Sequence, residues 1–227
     1  MLNPTACIIM AKQPQVGRTK TRLCPPLSSQ KAAELSEALL LDTIVLVSLL
    51  PGIDLALAIT PPSSQTYFTQ VTPPGTCLLP VQGDNIGVCL AQALGALLDL
   101  GYLKALAINA DGPSLPVDYI YQAMDLLDQH DLVLGPCEDG GYYIVGMKHL
   151  HAGVFDDIAY STAQVLDQTL QRSQALGLSV ALTPPWYDVD TIVELTRLNK
   201  ELRGLPADRL TNTRRFLASI NLNQLLE

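Results

Sequence analysis

The chain lacks the features that would place it in most large functional classes. No apolar stretch approaches the roughly 20 residues that cross a bilayer. The longest, Leu39 to Leu50, is broken by Asp42, Thr43 and Ser48, so membrane insertion is not expected. No charged segment precedes a cleavable apolar one at the N-terminus, where the apolar run Ala6 to Met10 has the length of a strand. Basic residues are scarce: 14 Lys and Arg stand against 22 Asp and Glu, for a formal charge of -8. Nucleic-acid surfaces need a basic face, so DNA and RNA are not expected partners. The cysteines number five, are scattered, and include no C-x-x-C pair, which excludes a disulfide framework or a zinc knuckle. Reduced thiols and a cytoplasmic location are expected. Neither a Walker motif nor G-x-G-x-x-G occurs, and no Ser-His-Asp or Cys-His nucleophile signature is present. An NAD-dependent oxidoreductase is disfavoured on that ground.

What is present fits one core. At 227 residues and 48% hydrophobic, a single domain is expected, with residues 196–227 as a helical C-terminal extension packed on it. Short apolar runs read as strands at 6–10, 54–60, 77–80, 105–109, 132–134, 142–145 and 178–182. Helical patterns read at 29–49, 86–100, 117–129, 162–176 and 190–203. Strands separated by single helices indicate βαβ units and an α/β domain with a mostly parallel sheet. Open sheets of this kind bind ligands beyond the carboxyl ends of their strands.

One such strand end is strongly cationic. Lys12, Arg18, Lys20 and Arg22 follow the run Ala6–Met10, and no carboxylate precedes Glu34. Gly17 permits a tight turn or a close backbone approach. Arg presents a fork matched to phosphate oxygens and Lys a compact charge. A solvated basic loop is the plain alternative, but four unneutralised cations favour a phosphate site.

The acidic elements lie elsewhere in the chain. Asp111, in Ala110-Asp111-Gly112-Pro113, follows a strand and can hold a hard cation through oxygen, although Asp-Gly-Pro is also ordinary turn chemistry. Asp188 and Asp190 flank Val189, so in an extended segment both carboxylates project to one side. Asp190 could instead cap the following helix. Between these elements, Gly135-Pro136-Cys137-Glu138-Asp139-Gly140-Gly141-Tyr142 offers acceptors for hydroxyls or a general base, or else forms a hairpin turn. His130, His149 and His151 read as solvated surface.

Taken in order, these strings resemble an uncharacterised bacterial branch of the nucleotide-diphospho-sugar transferases, the glycosyltransferase-A (GT-A) superfamily. That branch is similar to the phospholactate guanylyltransferases and molybdopterin nucleotidyltransferases. The resemblance is carried by Ala11, Lys12, Pro14, Gly17, Lys20, Thr21, Arg22 and Leu23, then Asp111, Pro113 and Leu115. It continues through Gly135, Pro136, Asp139, Gly140, Gly141 and Tyr142 to Asp188, Val189, Asp190 and Thr191. It implies a Rossmann-like mixed sheet with the nucleotide over the N-terminal half. Lys12, Gly17, Lys20, Thr21 and Arg22 would bind nucleotide phosphate. Asp111 with Asp188 or Asp190 would hold Mg²⁺ or Mn²⁺. The loop Gly135, Asp139 to Tyr142 would meet the substrate, and Lys20, Asp111 and Asp139 would serve catalysis. Two departures stand out. Relatives carry a basic residue early in the middle helix, where this chain reads Asn85-Ile86-Gly87-Val88-Cys89, and the loop G-x-G-S/T-R-M is not reproduced. A metal-dependent transferase acting on a nucleotide or nucleotide-sugar with a small-molecule acceptor is therefore expected. The alternative is a non-catalytic nucleotide-sugar-binding module.

Overall fold

The computed structural model describes residues 3–222. Among these, seven strands form one sheet in the order β3-β2-β1-β4-β6-β5-β7. The strands are β1 (Thr5–Lys12), β2 (Ile53–Thr60), β3 (Cys77–Pro80), β4 (Lys104–Ile108), β5 (Leu132–Pro136), β6 (Tyr142–Met147) and β7 (Val180–Leu182). β6 runs antiparallel to both its neighbours, β4 and β5, and the remaining pairs are parallel. The α/β class and the mostly parallel sheet read from the sequence are what the structure has. The strand pairing explains the composition of β1. With parallel partners on both edges and helices on both faces, it is apolar almost throughout, as a central parallel strand must be.

Alternation along β1 divides the core. Cys7, Ile9 and Ala11 face a layer containing Leu40, Ile44 and Val47 of α1 (Ser29–Ser48) and Ile120 and Ala123 of α4 (Val117–Leu126). Ala6 and Ile8 face Leu90, Ala93, Leu94 and Leu97 of α3 (Ile86–Asp99), which shares that side with Leu166 and Leu170 of α5 (Val165–Ala175). The proline-rich stretch after β2 contains the short helix α2 (Gln65–Val71). Ser28 caps α1 by accepting the Lys31 N–H, as its position predicts.

A third apolar cluster joins the other side of α1 to α6 (Ile192–Glu201), α7 (Thr211–Ala218) and the segment Trp186–Val189. The C-terminal boundary expected at 196 falls inside α6, which shares this cluster with Tyr187 and Val189; residues 223–227 lie outside the described residues. One buried charge secures the arrangement. Asp42, in the middle of α1 and 4% exposed, accepts the backbone N–H groups of Asn212 and Thr213 and the Asn212 side-chain amide. It thereby satisfies donors that the first turn of α7 would leave unpaired.

Candidate active site

β2 lies on one side of β1 and β4 on the other, so the strand order reverses between β1 and β4. This is the topological switch point at which open α/β sheets bind ligands. The end of β1 and the loop after it carry the cations, and the loop after β4 begins Asn109-Ala110-Asp111. The two meet there. A third strand of chain completes the crevice. Trp186 N–H donates to the Pro136 carbonyl, Glu138 N–H to the Trp186 carbonyl, and Val189 N–H to the Asp111 carbonyl. Residues 186–189 are thus stitched to both the β5–β6 turn and the β4 loop. Gly112 permits the approach, since a Cβ there would lie 2.9 Å from the Tyr187 carbonyl oxygen. Val189 is fully buried, whereas Asp188 and Asp190 on either side face the crevice.

Lys20 is the centre of the charged network. Its Nζ lies 2.5 Å from Asp111 Oδ1 and 2.8 Å from Asp190 Oδ1, with the side chain only 5% exposed. Burial alone would lower its pKa, but the two carboxylates outweigh that and raise it, so it remains an ammonium. Its backbone is left-handed, with φ 50°, directly before a short 3₁₀ turn at Thr21–Leu23. Leu23, fully buried among Leu27, Leu35 and Leu39, anchors that turn. Arg22 Nη1 reaches Asp190 Oδ2 at 3.4 Å from an otherwise exposed position. Asp190 is therefore held by cations. The helix-capping role considered for it belongs to Thr191, which forms a capping box with Glu194.

Asp188 is held differently. Asn109 Nδ2 donates at 2.9 Å to both of its oxygens, and Asn109 in turn accepts the Asp111 N–H. Burial first, and then the Asp111 charge, push the Asp188 carboxyl up to about 7. On its far side lie Cys137 and Asp139. One ligand atom from each of Cys137, Asp139 and Asp188 falls within 4.8 Å of the others. Burial raises the Cys137 thiol well above its ordinary value, so its sulfur stays protonated and the oxygens are the available ligands.

Two adjoining cavities open on this network. The smaller, of about 300 Å³, is lined by Lys12, Arg18, Lys20, Thr21 and Arg22 with Asp111 and Asp190. The larger, of about 840 Å³, contains Asp111, Asp139, Asp188 and Asp190 with Gly141, Tyr142 and Arg22. Among the residues singled out from sequence, Gly17, Gly135 and Gly140 line neither cavity. Gly17 turns the basic loop at φ 75° with open space around it. Gly135 is inside β5, where a Cβ would strike Ile144 and Tyr143, so it serves packing rather than the substrate loop expected of it. Gly140, at φ 91°, lets the β5–β6 turn press on Ala163 and accept the Leu166 N–H. That turn is a hairpin and a cavity wall together, with Asp139 Oδ1 accepting the Gly141 N–H.

Other lining residues carried no signal in the sequence. Asn109 reads as the last residue of a strand, and 162–164 as the start of α5, which begins at Val165. Arg197 makes two 2.9 Å hydrogen bonds to Glu138, another to Glu201, and lies 3.8 Å over the Tyr187 ring. Glu138 is thereby committed to tying the β5–β6 turn to α6. An i,i+4 Arg197–Glu201 pair was legible, but the 59-residue link to Glu138 was not.

Comparisons with known proteins bear on the fold. No curated protein sequence matches the chain significantly. A protein of Desulfovibrio desulfuricans G20, provisionally described as a nucleotide-diphospho-sugar transferase, superposes with a TM-score of 0.89 at 26% identity, covering 99% of this chain and 97% of that one. The 4-diphosphocytidyl-2C-methyl-D-erythritol synthase of Anaerococcus prevotii DSM 20548 superposes with a TM-score of 0.59 at 12% identity, over 88% and 96% of the two chains. A CMP:2-keto-3-deoxy-manno-octonic acid synthetase complexed with CTP gives 0.55 at 11% identity, over 88% and 99%. The last two share the fold alone. The fold is that of the nucleotide-diphospho-sugar transferases, and the family model for "Uncharacterized protein conserved in bacteria (DUF2064)" matches residues 43–162, more than half the chain. The chain belongs to that family.

Proposed function

We propose that the chain is a divalent-cation-dependent transferase that takes a nucleotide or nucleotide-sugar as donor and a small hydroxyl compound as acceptor. The observation that carries this is the meeting, at one switch point, of four cations from the end of β1 and its following loop with three aspartates from two other loops. The similarity to a provisionally described nucleotide-diphospho-sugar transferase, and the fold shared with two nucleotide-dependent synthases, support it. Lys12, Arg18, Lys20 and Arg22 would bind the phosphates in the smaller cavity, with Thr21 in the same wall. The donor set fits a hard cation. Asp111 and Asp190 already share one positive charge, the Lys20 ammonium, and Asp188 lines the same crevice with oxygen alone.

Asp111, Asp188 and Asp190 would hold Mg²⁺ or Mn²⁺, which when bound supplies charge neutralisation at the departing phosphate. Lys20 would move from carboxylate to phosphate oxygen as the donor enters, so its charge is used in both states. Asp139, exposed at the cavity edge and oriented by Gly141 N–H, would accept the acceptor's hydroxyl proton. In nucleotidyl transfer the acceptor oxygen bonds to the α-phosphorus and pyrophosphate leaves. In glycosyl transfer it bonds to the sugar carbon and the nucleoside diphosphate leaves. Incubation with nucleoside triphosphates and nucleotide-sugars in Mg²⁺ or Mn²⁺ distinguishes these by product. Tight binding without release of either product would favour the non-catalytic module instead.

A further inference from the structure

The two cavities divide by charge. Lys12, Arg18 and Lys20 line the smaller one and are absent from the larger. In the larger cavity Arg22 is the sole cation among the lining residues, against four aspartates, and its guanidinium lies on Asp190. A divalent cation at the aspartates would bring that balance only near neutrality, before donor phosphates are counted. Away from the aspartates the wall includes Ile86, Leu90, Tyr142, Tyr160 and Val165, with Ser161 and Thr162 between the last two. The first turn of α3 there reads Ile-Gly-Val-Cys, with Ile86 44% exposed, and its Val88 N–H is taken by the Asn85 side chain. Gly87 makes room for Tyr160, whose ring end would collide with any Cβ at that position.

An acceptor phosphate or carboxylate against these walls would lose water and find no cation but Arg22, which is already committed to Asp190, a costly exchange. Apolar and tyrosine walls beside the hydroxyl-bearing Ser161 and Thr162 instead suit a ring or chain whose polar groups are hydroxyls. We infer that the larger cavity takes an uncharged, hydroxyl-bearing acceptor with an apolar or aromatic face, carrying no anionic group. This rests on the transferase reading for the word acceptor, while the binding preference stands on the cavity itself.

Saturation-transfer NMR on the full chain with Mg²⁺ tests it, using phenyl β-D-glucopyranoside and glucose 6-phosphate as probes. The glucoside should show transfer, strongest at its phenyl protons, and the phosphate should bind at least about tenfold more weakly for want of a paired cation. Tyr160→Ala should weaken the glucoside. Ile86→Arg should raise the glucose 6-phosphate signal. Equal or tighter binding of the phosphate by the wild type overturns the inference, as does silence from both probes or an unchanged response in Ile86→Arg. Calorimetry of nucleotide binding, run on the same preparations, reports separately on the phosphate site. Loss there with the probe preference intact would strike the transferase reading and leave the lobe's preference standing.

Discussion

Asp188→Asn should make the metal-free protein more stable at alkaline pH while removing its activity. A carboxyl raised from 3.8 to about 7 stays protonated in the folded chain while the unfolded chain has already ionised. Folding then carries a penalty that is absent below about pH 4, grows between the two values, and is complete above pH 7. The interval is about three units at roughly 1.4 kcal/mol each, which sets an upper limit of about 4 kcal/mol. Asp188 is only partly buried and Lys20 is close by, so about 1–3 kcal/mol is expected. The asparagine removes the charge and keeps an oxygen for the Asn109 amide. For a chain of this length 1 kcal/mol corresponds to roughly 2–4 °C in Tm. Thermal unfolding followed by circular dichroism in EDTA should show the variant melting roughly 2–12 °C higher at pH 8. At pH 5 the gain should be less than half as large. An equal gain at both pH values, or no gain at pH 8, would refute the argument that an uncompensated charge resides at Asp188. Added Mg²⁺ should stabilise the wild type and leave the variant unmoved.

Lys20→Met should weaken nucleotide binding by roughly 10- to 100-fold, the range for one charge-assisted hydrogen bond, and unchanged calorimetric affinity would remove Lys20 from the phosphate site. Asp111→Asn should lower product release by about 100-fold or more, as loss of one charge-stabilising group does, with the fold retained by circular dichroism. Asp42→Ala should destabilise the chain by about 2–4 kcal/mol, measured by urea unfolding, because two backbone N–H groups of α7 lose their buried acceptor. A small effect there would mean that α7 is held by its apolar face alone. Gly87→Ala should displace Tyr160 and reduce binding of the phenyl glucoside without altering nucleotide affinity.

The sequence by itself determined the α/β class and the approximate place of every strand, because each strand is a short apolar run and most alternate with helical patterns. It also determined which strings carry charge at strand ends. The Ser28 cap was legible, being a contact across three residues, as was the opposite facing of Val189 and its neighbouring aspartates, which follows from the period of extended chain. What only the tertiary structure decided are the pairings across long separations. Lys20 and Asp190 are 170 residues apart, yet their contact is what makes one carboxylate a cation partner and leaves the helix cap to Thr191. Asp42, in sequence only a break in the apolar run Leu39 to Leu50, is the buried anchor of α7 because α7 returns to α1. Gly135 and Gly140, neighbours in one motif, were separated into a packing role and a turn role by what each backbone meets. The division of charge between the two cavities likewise depends on which side of the Lys20–Asp111–Asp190 junction each wall falls. Local patterns record the period and polarity of a segment, whereas the partner of a charge is set by the chain's path through space, which no local pattern contains.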